Sequence, residues 1–287
     1  VKMKIYTMVS KSHQYLCDEY FIKSVKQFEP DAEIIFEEQK QICQSGEYYS
    51  DGWKESMRHK VEIYEKAISS DDKYFIWSDV DIEFYKPFIE TCIQELGEYD
   101  IAFQEGVGGE YCAGFFIARI NDRTKKFFKL LKEKYDLYSC DQEAININIK
   151  HIKAKFLSHI FLNISFQHRH WNGQPFKIEN ELIMFHANYT VGLQNKIKLL
   201  NMAKKYNQNI KYNILEKENI EILEAYYGSV SDVTDILQKS KDKIHATTAF
   251  LETDPMPGLF KYIYLFDKNN QLISPAINEG SFIFFND

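Results

Sequence analysis

Residues 74–84 read YFIWSDVDIEF, and no other stretch limits the fold so sharply. Tyr74, Phe75, Ile76, Trp77 and Val80 make a near-continuous apolar and aromatic run, the pattern of a strand covered on both faces. Into its end Asp79 and Asp81 place two carboxylates, two residues apart. Desolvating such a pair without positive charge between them is costly. A divalent cation held by hard oxygen ligands would supply that charge. The alternative is that one Asp caps a turn and the other stays solvated.

The flanking segments predict an α/β chain. Lys4–Val9 (KIYTMV) is β-leaning and is broken by Ser10, Lys11 and Ser12. A strand ending in small polar residues suits a sheet whose strand ends face a ligand crevice. Leu16, Tyr20, Phe21, Val25 and Phe28 are spaced as on a helix closed by Pro30, and Glu33–Glu37 reads as a second strand. This β-α-β order predicts a parallel sheet. The loop 44–52 has glycines suited to close approach of a ligand, and Trp53 is placed to pack on one. From Trp53 to Ile68, Met57, Val61, Tyr64 and Ile68 mark a helix face, with Arg58 and Lys60 near its start and able to reach a phosphate.

Further on, the pattern gives a helix at Phe88–Leu96, a strand at Tyr99–Gln104 and a strand at Tyr111–Ile120. Gly114 inside that last strand marks close approach by a ligand or another backbone. Gly106, Gly108 and Gly109 lack the spacing of a dinucleotide fingerprint. Asn121 caps an amphipathic helix running to Tyr135. Asp141 and Gln142 open the next helix, where Asp141 either caps the first turn or joins Gln142 in pointing at sugar hydroxyls. His168 and His170 form a His-x-His pair in a polar loop, a weak metal signal beside Arg169. Ile183–Asn201 then delivers His186 from a short strand, Gly192 near a helix N-terminus and Lys196 at the start of a basic helix. Imidazole ligates transition metals, lysine offers a point charge to a pyrophosphate, and a glycine there lets phosphate reach backbone N–H groups.

The net charge of −7 argues against nucleic acid as a partner. No apolar run reaches the roughly 18 residues of a membrane span, and no export signal is read at the N-terminus. The five cysteines are widely spaced with no Cys-x-x-Cys pair, which fits free thiols in a reducing compartment, hence a cytoplasmic protein.

Together, SGEYYSDGWKESMRHK (45–60), FIWSDVDIEF (75–84), CAGFFIARIND (112–122), DQEAININ (141–148) and HANYTVGLQNK (186–196) resemble the DxD-containing nucleotide-diphospho-sugar glycosyltransferases of the GT-A fold. The closest likeness is to the retaining group with family-77-like and glycogenin-like enzymes. The resemblance implies a Rossmann-like mixed sheet flanked by helices over residues 1–210. It implies that Asp79, Asp81 and His186 hold Mn²⁺ or Mg²⁺ on the donor diphosphate. Gly192 and Lys196 would meet the pyrophosphate, and the Lys60 region the phosphates or donor sugar. Thr7, Ser10 and Tyr15 would approach the nucleobase and ribose; Trp53, Ser78 and Gly114 complete the expected donor site, with Asp141 and Gln142 beside the transferred sugar. Cys112 departs from the pattern, which has Asn before Ala-Gly.

The expected activity is transfer of a sugar from a UDP-sugar, or less directly a GDP-sugar, to a glycan or protein hydroxyl. A metal-dependent nucleotidyltransferase is the rival enzyme, although Met8–Leu16 lacks its glycine-rich basic loop. A non-catalytic glycan-binding protein on the same fold is the third reading. Beyond a polar junction at 201–214, residues 215–287 read as a small β-rich module that packs, forms a homodimer or binds glycan.

Overall fold

The computed structural model describes residues 2–38, 43, 50–178 and 181–210, together with backbone strands between 222 and 284. The chain divides into two compact units, Val1–Phe176 with Leu182–Ala203, and Lys177–Glu181 with Lys204–Asp287. Each is described by itself.

In the first unit, β1 (Lys4–Val9) leads into a helical stretch whose ends are α1 (Gln14–Leu16) and α2 (Lys23–Phe28), with a π-helical segment, Cys17–Ile22, between them. β2 (Glu33–Glu38), α3 (Trp53–Ile68) and β3 (Tyr74–Ser78) follow, then β4 (Ile82–Phe84), α4 (Ile89–Leu96), β5 (Ile101–Glu105) and β6 (Tyr111–Arg119). The rest comprises α5 (Asp122–Glu133), α6 (Asp141–Asn148), β7 (Ala154–Phe156), β8 (Phe161–Asn163), β9 (Met184–His186) and the start of α7 (Leu193–Ile210), a helix that belongs to the second unit from Lys204 on. Asn121 caps α5 as expected, in a reciprocal capping box with Thr124.

Six strands form one sheet in the order β2-β1-β3-β6-β5-β7. β1 runs parallel to β2 and β3, while β6 runs antiparallel to β3 and β5, so the sheet is mixed. Alternation along the strands sends Tyr6, Phe75 and Trp77 into a core with α3, α5 and α6. It sends Ile5, Val9 and Ile76 into a second core with the first helical stretch and α4. The first core is dominated by aromatic rings: Tyr64 lies 4.8 Å from Trp77, 5.2 Å from Phe116 and 5.6 Å from Phe128, all edge-on.

The single strand expected over 74–84 is two strands in two sheets. β3 belongs to the six-stranded sheet, whereas β4 pairs antiparallel with β9 in a three-stranded sheet ordered β4-β9-β8. Because both halves are buried, the apolar run stays continuous where the chain changes sheets. Asp79 N–H donates to Gly114 O at 2.7 Å, continuing the β3–β6 pairing, and Asp81 O accepts from Ala187 N–H at 2.9 Å beside the β4–β9 pairing. Asp79-Val80-Asp81 is therefore the hinge between the sheets. The polar stretch beginning at Asn201 does not end α7, which continues to Ile210.

In the second unit, β10 (Ile222–Tyr227), β11 (Ser231–Asp232), β13 (Tyr262–Asp267) and β14 (Ile277–Asn278) form an antiparallel sheet. β12 (Lys243–His245) pairs antiparallel with β15 (Phe282–Phe284). The turn expected at 267–270 lies past Asp267 outside the described residues. Among the described residues no helix is long and apolar enough to cross a membrane.

Candidate active site

A cavity of about 580 Å³ opens where β1 and β3 end, the edge at which α/β sheets bind ligands. Its walls come from Ser10–His13 after β1, the Asp79–Asp81 hinge, the first half of β6, the start of α6 and the segment from His186 to Lys196. Strand pairing assembles its most charged corner. Register sets His186 against Ile82 and Asn163 at the end of β9, one residue from Asp81. One ligand atom each from Asp79, Asp81 and His186 lies within 4.8 Å of the others, and this is the one group of its kind among the described residues.

The chemistry of this corner calls for positive charge. His186 is 1% exposed, and its Nε2 makes no hydrogen bond although it lies 3.2 Å from Asp81 Oδ1 and 4.0 Å from Asp79 Oδ2. Burial opposes charge on the ring, but Asp81 raises its pKa to about 9. A proton or a metal ion can satisfy that demand. Two carboxylates and an imidazole converging on one point fit a divalent cation. Gly114 makes the arrangement possible, because a Cβ there would sit 2.1 Å from His186 Cε1 and 3.0 Å from Asp79 Oδ2. The close approach expected at Gly114 is thus made by the imidazole.

Each carboxylate has its own lysine. Lys196, the fourth residue of α7, pairs with Asp81 and donates to Ala187 O at 3.1 Å. Burial alone would raise Asp81, yet Lys196 and His186 hold it well below the usual carboxylate range. Gly192, with φ +86°, begins that helix, a left-handed conformation glycine adopts without strain. Lys60 lies two turns into α3 with a side chain only 5% exposed, 2.8 Å from Asp79 Oδ1 and 3.1 Å from Asp141 Oδ2. Trp77 Nε1–H donates to Asp79 Oδ1 at 3.0 Å, and Tyr64 O–H donates to Asp141 Oδ2 at 3.0 Å. Burial pushes Asp79 upward, with Lys60 opposing and Asp81 adding to the rise.

Beside Asp141, Gln142 Nε2–H donates to Glu110 Oε2 at 3.2 Å and to Tyr189 Oη at 3.1 Å. Tyr189 has φ +48°, a costly conformation for a residue of its size, of the kind that clusters at functional sites. Cys112, in the position where Asn was expected, accepts from Asn188 Nδ2–H at 3.4 Å.

Of the residues expected at the site, Asp79, Asp81, His186, Asp141, Gln142, Ser10, Trp53, Lys60, Gly114, Gly192 and Lys196 all line the cavity. Thr7, Tyr15 and Ser78 do not. Thr7 alternates with the cavity-lining Met8 and points to the second core beside Ile5 and Val9. Ser78 is fully buried and donates to Asp79 O at 3.0 Å. Tyr15 is half exposed and packs edge-on against Tyr20. The glycine-bearing part of loop 44–49 lies outside the described residues. His168 and His170 do not join the acidic cluster; His168 Nε2 contacts Pro175 O at 2.6 Å. Sequence reasoning missed His13, Asn188 and Tyr189 on the wall and Gln104 behind it. A lone amide in the apolar run IAFQ was the available signal for Gln104.

A family model described as nucleotide-diphospho-sugar transferase matches residues 16–200. No curated protein matches. Among solved structures, the chain is similar to the glycosyltransferase GlyE of Streptococcus pneumoniae TIGR4 at 14% identity and TM-score 0.41, over 56% of this chain and 46% of that one. A structure of the galactosyltransferase LgtC with donor and acceptor sugar analogs gives 16% identity and TM-score 0.41 over 65% and 87%. A glycosyltransferase involved in glycosylation of the major capsid of PBCV-1 gives 12% identity and TM-score 0.49 over 70% and 100%. The chain therefore spans about half the length of GlyE.

Proposed function

The chain belongs to the nucleotide-diphospho-sugar transferases, and from that premise we propose that it transfers a sugar from a UDP-sugar to a hydroxyl of a glycan or protein, with retention of configuration. Asp79, Asp81 and His186 would hold Mn²⁺ or Mg²⁺. The observation that carries this reading is the buried His186 Nε2 between two carboxylates at the rim of a cavity large enough for a nucleotide sugar. Bound there, the cation supplies charge neutralisation on the departing nucleoside diphosphate.

The chain's own residues do the rest. Lys196 adds a point charge at the same place, and the helix that Gly192 opens presents its N-terminus to the pyrophosphate. Lys60 and Tyr64 fix Asp141 through Oδ2. In this reading Asp141 is the carboxylate that would stabilise positive charge developing at the sugar carbon. Gln142, braced by Glu110 and Tyr189, orients sugar hydroxyls. Ser10 and His13 flank the nucleoside end. Retention follows from the resemblance, and the anomeric configuration of the product tests it.

Thermal shift with UDP, with and without Mn²⁺, tests the site. The expected result is stabilisation by UDP only when Mn²⁺ is present. Asp81→Asn abolishes that response while the unliganded melting temperature stays within a few degrees of wild type. A metal-dependent UDP response surviving in Asp81→Asn would show that the site is misplaced. A response to nucleoside triphosphate alone would favour the nucleotidyltransferase.

A further inference from the structure

We propose that Gln104 is a positioning residue that locks His186 into the one tautomer and orientation in which Nε2 faces Asp79 and Asp81. The inference rests on the metal-binding reading of that corner. Gln104 is wholly buried near the end of β5, and both ends of its amide are used. Nε2–H donates to Phe161 O in β8 at 2.9 Å, and Oε1 lies 2.9 Å from His186 Nδ1 in β9. Turning the amide over would set its oxygen against the Phe161 carbonyl, so its orientation is fixed. Oε1 can only accept, which requires Nδ1 to carry the hydrogen. In a neutral ring the lone pair then lies on Nε2.

The ring occupies the space that a Cβ at residue 114 would need, since that atom would fall 2.1 Å from Cε1. Gln104 therefore selects which nitrogen faces the carboxylates, in a space that Gly114 leaves open. Outer partners of this kind are worth about 10–100-fold in metal affinity when removed. A competing role exists, because the same side chain straps β5 to β8 and β9 and would contribute to stability whatever binds nearby.

A double-mutant cycle separates the two. Mn²⁺ binding in the presence of UDP is measured by the EPR signal of free Mn²⁺, at one pH, for wild type, Gln104→Met, His186→Ala and the double variant. Gln104→Met is expected to weaken Mn²⁺ binding about 10–100-fold. In the His186→Ala background, where Asp79 and Asp81 still give weak binding, it should change the affinity less than twofold, because a residue acting through His186 has nothing left to act on. Wild-type affinity in Gln104→Met overturns the proposal, as does an equal loss in both backgrounds. If the Met variant does not fold, Gln104→Asn, which keeps the amide but shortens its reach, takes its place under the same criteria. Failure of the wild type to bind Mn²⁺ would remove the reading of the site itself, whereas native-like Gln104→Met would remove only this inference.

Discussion

The cavity has two acidic corners, built from the same residue types to different ends. At one, Asp81 faces Lys196 and His186 and is held well below the usual range. At the other, Asp79 and Asp141 share Lys60, and Asp79 is pushed up. The difference lies in redundancy and burial. Asp81 has two cationic partners, so losing one leaves the other. Asp141 has Lys60 as the one cation paired with it among the described residues, enclosed beneath Trp77 with its ammonium 5.3 Å from the ring centroid. Asp81 is suited to exchange its partners for a ligand and Asp141 to hold its place, while Asp79 faces both Lys60 and His186.

The largest expected effect tests that contrast directly. Lys60→Met leaves Asp141 without its paired cation in the core and should destabilise the protein by about 3–5 kcal/mol, read from the urea midpoint at constant m-value. Lys196→Met should cost about 1 kcal/mol or less, since His186 still faces Asp81, but should raise the donor KM about 10–100-fold, the worth of a lost charge-assisted contact. Equal stability losses in the two variants would erase the distinction between the corners.

Gly114→Ala comes next. The methyl carbon cannot sit 2.1 Å from His186 Cε1, so the ring must move, at an overpacking cost of about 1–3 kcal/mol. Movement of the ring should also abolish the Mn²⁺-dependent UDP shift in thermal melts. The exchangeable corner would then be shown to depend on the absence of one side chain on β6. Unchanged Mn²⁺ dependence would mean that His186 has freedom the packing denies it.

Legibility in the sequence followed the same division. The α3 stripe of Val61, Tyr64 and Ile68 and the capped α5 were readable because helix periodicity and burial agree there. Asp79, Asp81 and His186 were readable as residue types, since few arrangements tolerate paired buried acids. The sheet change between them was not readable, because Ile82 and Phe84 are as buried as Phe75 and Trp77 and nothing in an apolar run records which neighbour it pairs with. The ion pairs of Lys60 were not readable, because spacing along a helix gives its face but not its partners. Its enclosure depends on carboxylates delivered from residues 79 and 141.

The smallest effect separates the cavity wall from the core behind it. Thr7 was expected to approach the nucleoside, yet strand alternation turns it away from the cavity that Met8 lines. Its Oγ1 is buried with no hydrogen-bond partner among the described residues. Valine has nearly the same shape and removes that unsatisfied hydroxyl. Thr7→Val should therefore raise stability by about 1 kcal/mol and leave the donor KM unchanged. Ser10→Ala, three residues further and on the wall, should raise that KM while stability stays within about 0.5 kcal/mol, as for a substitution outside the packed core. A raised KM in Thr7→Val would mean that the hydroxyl meets the donor after all, and that the end of β1 rearranges when the nucleotide binds.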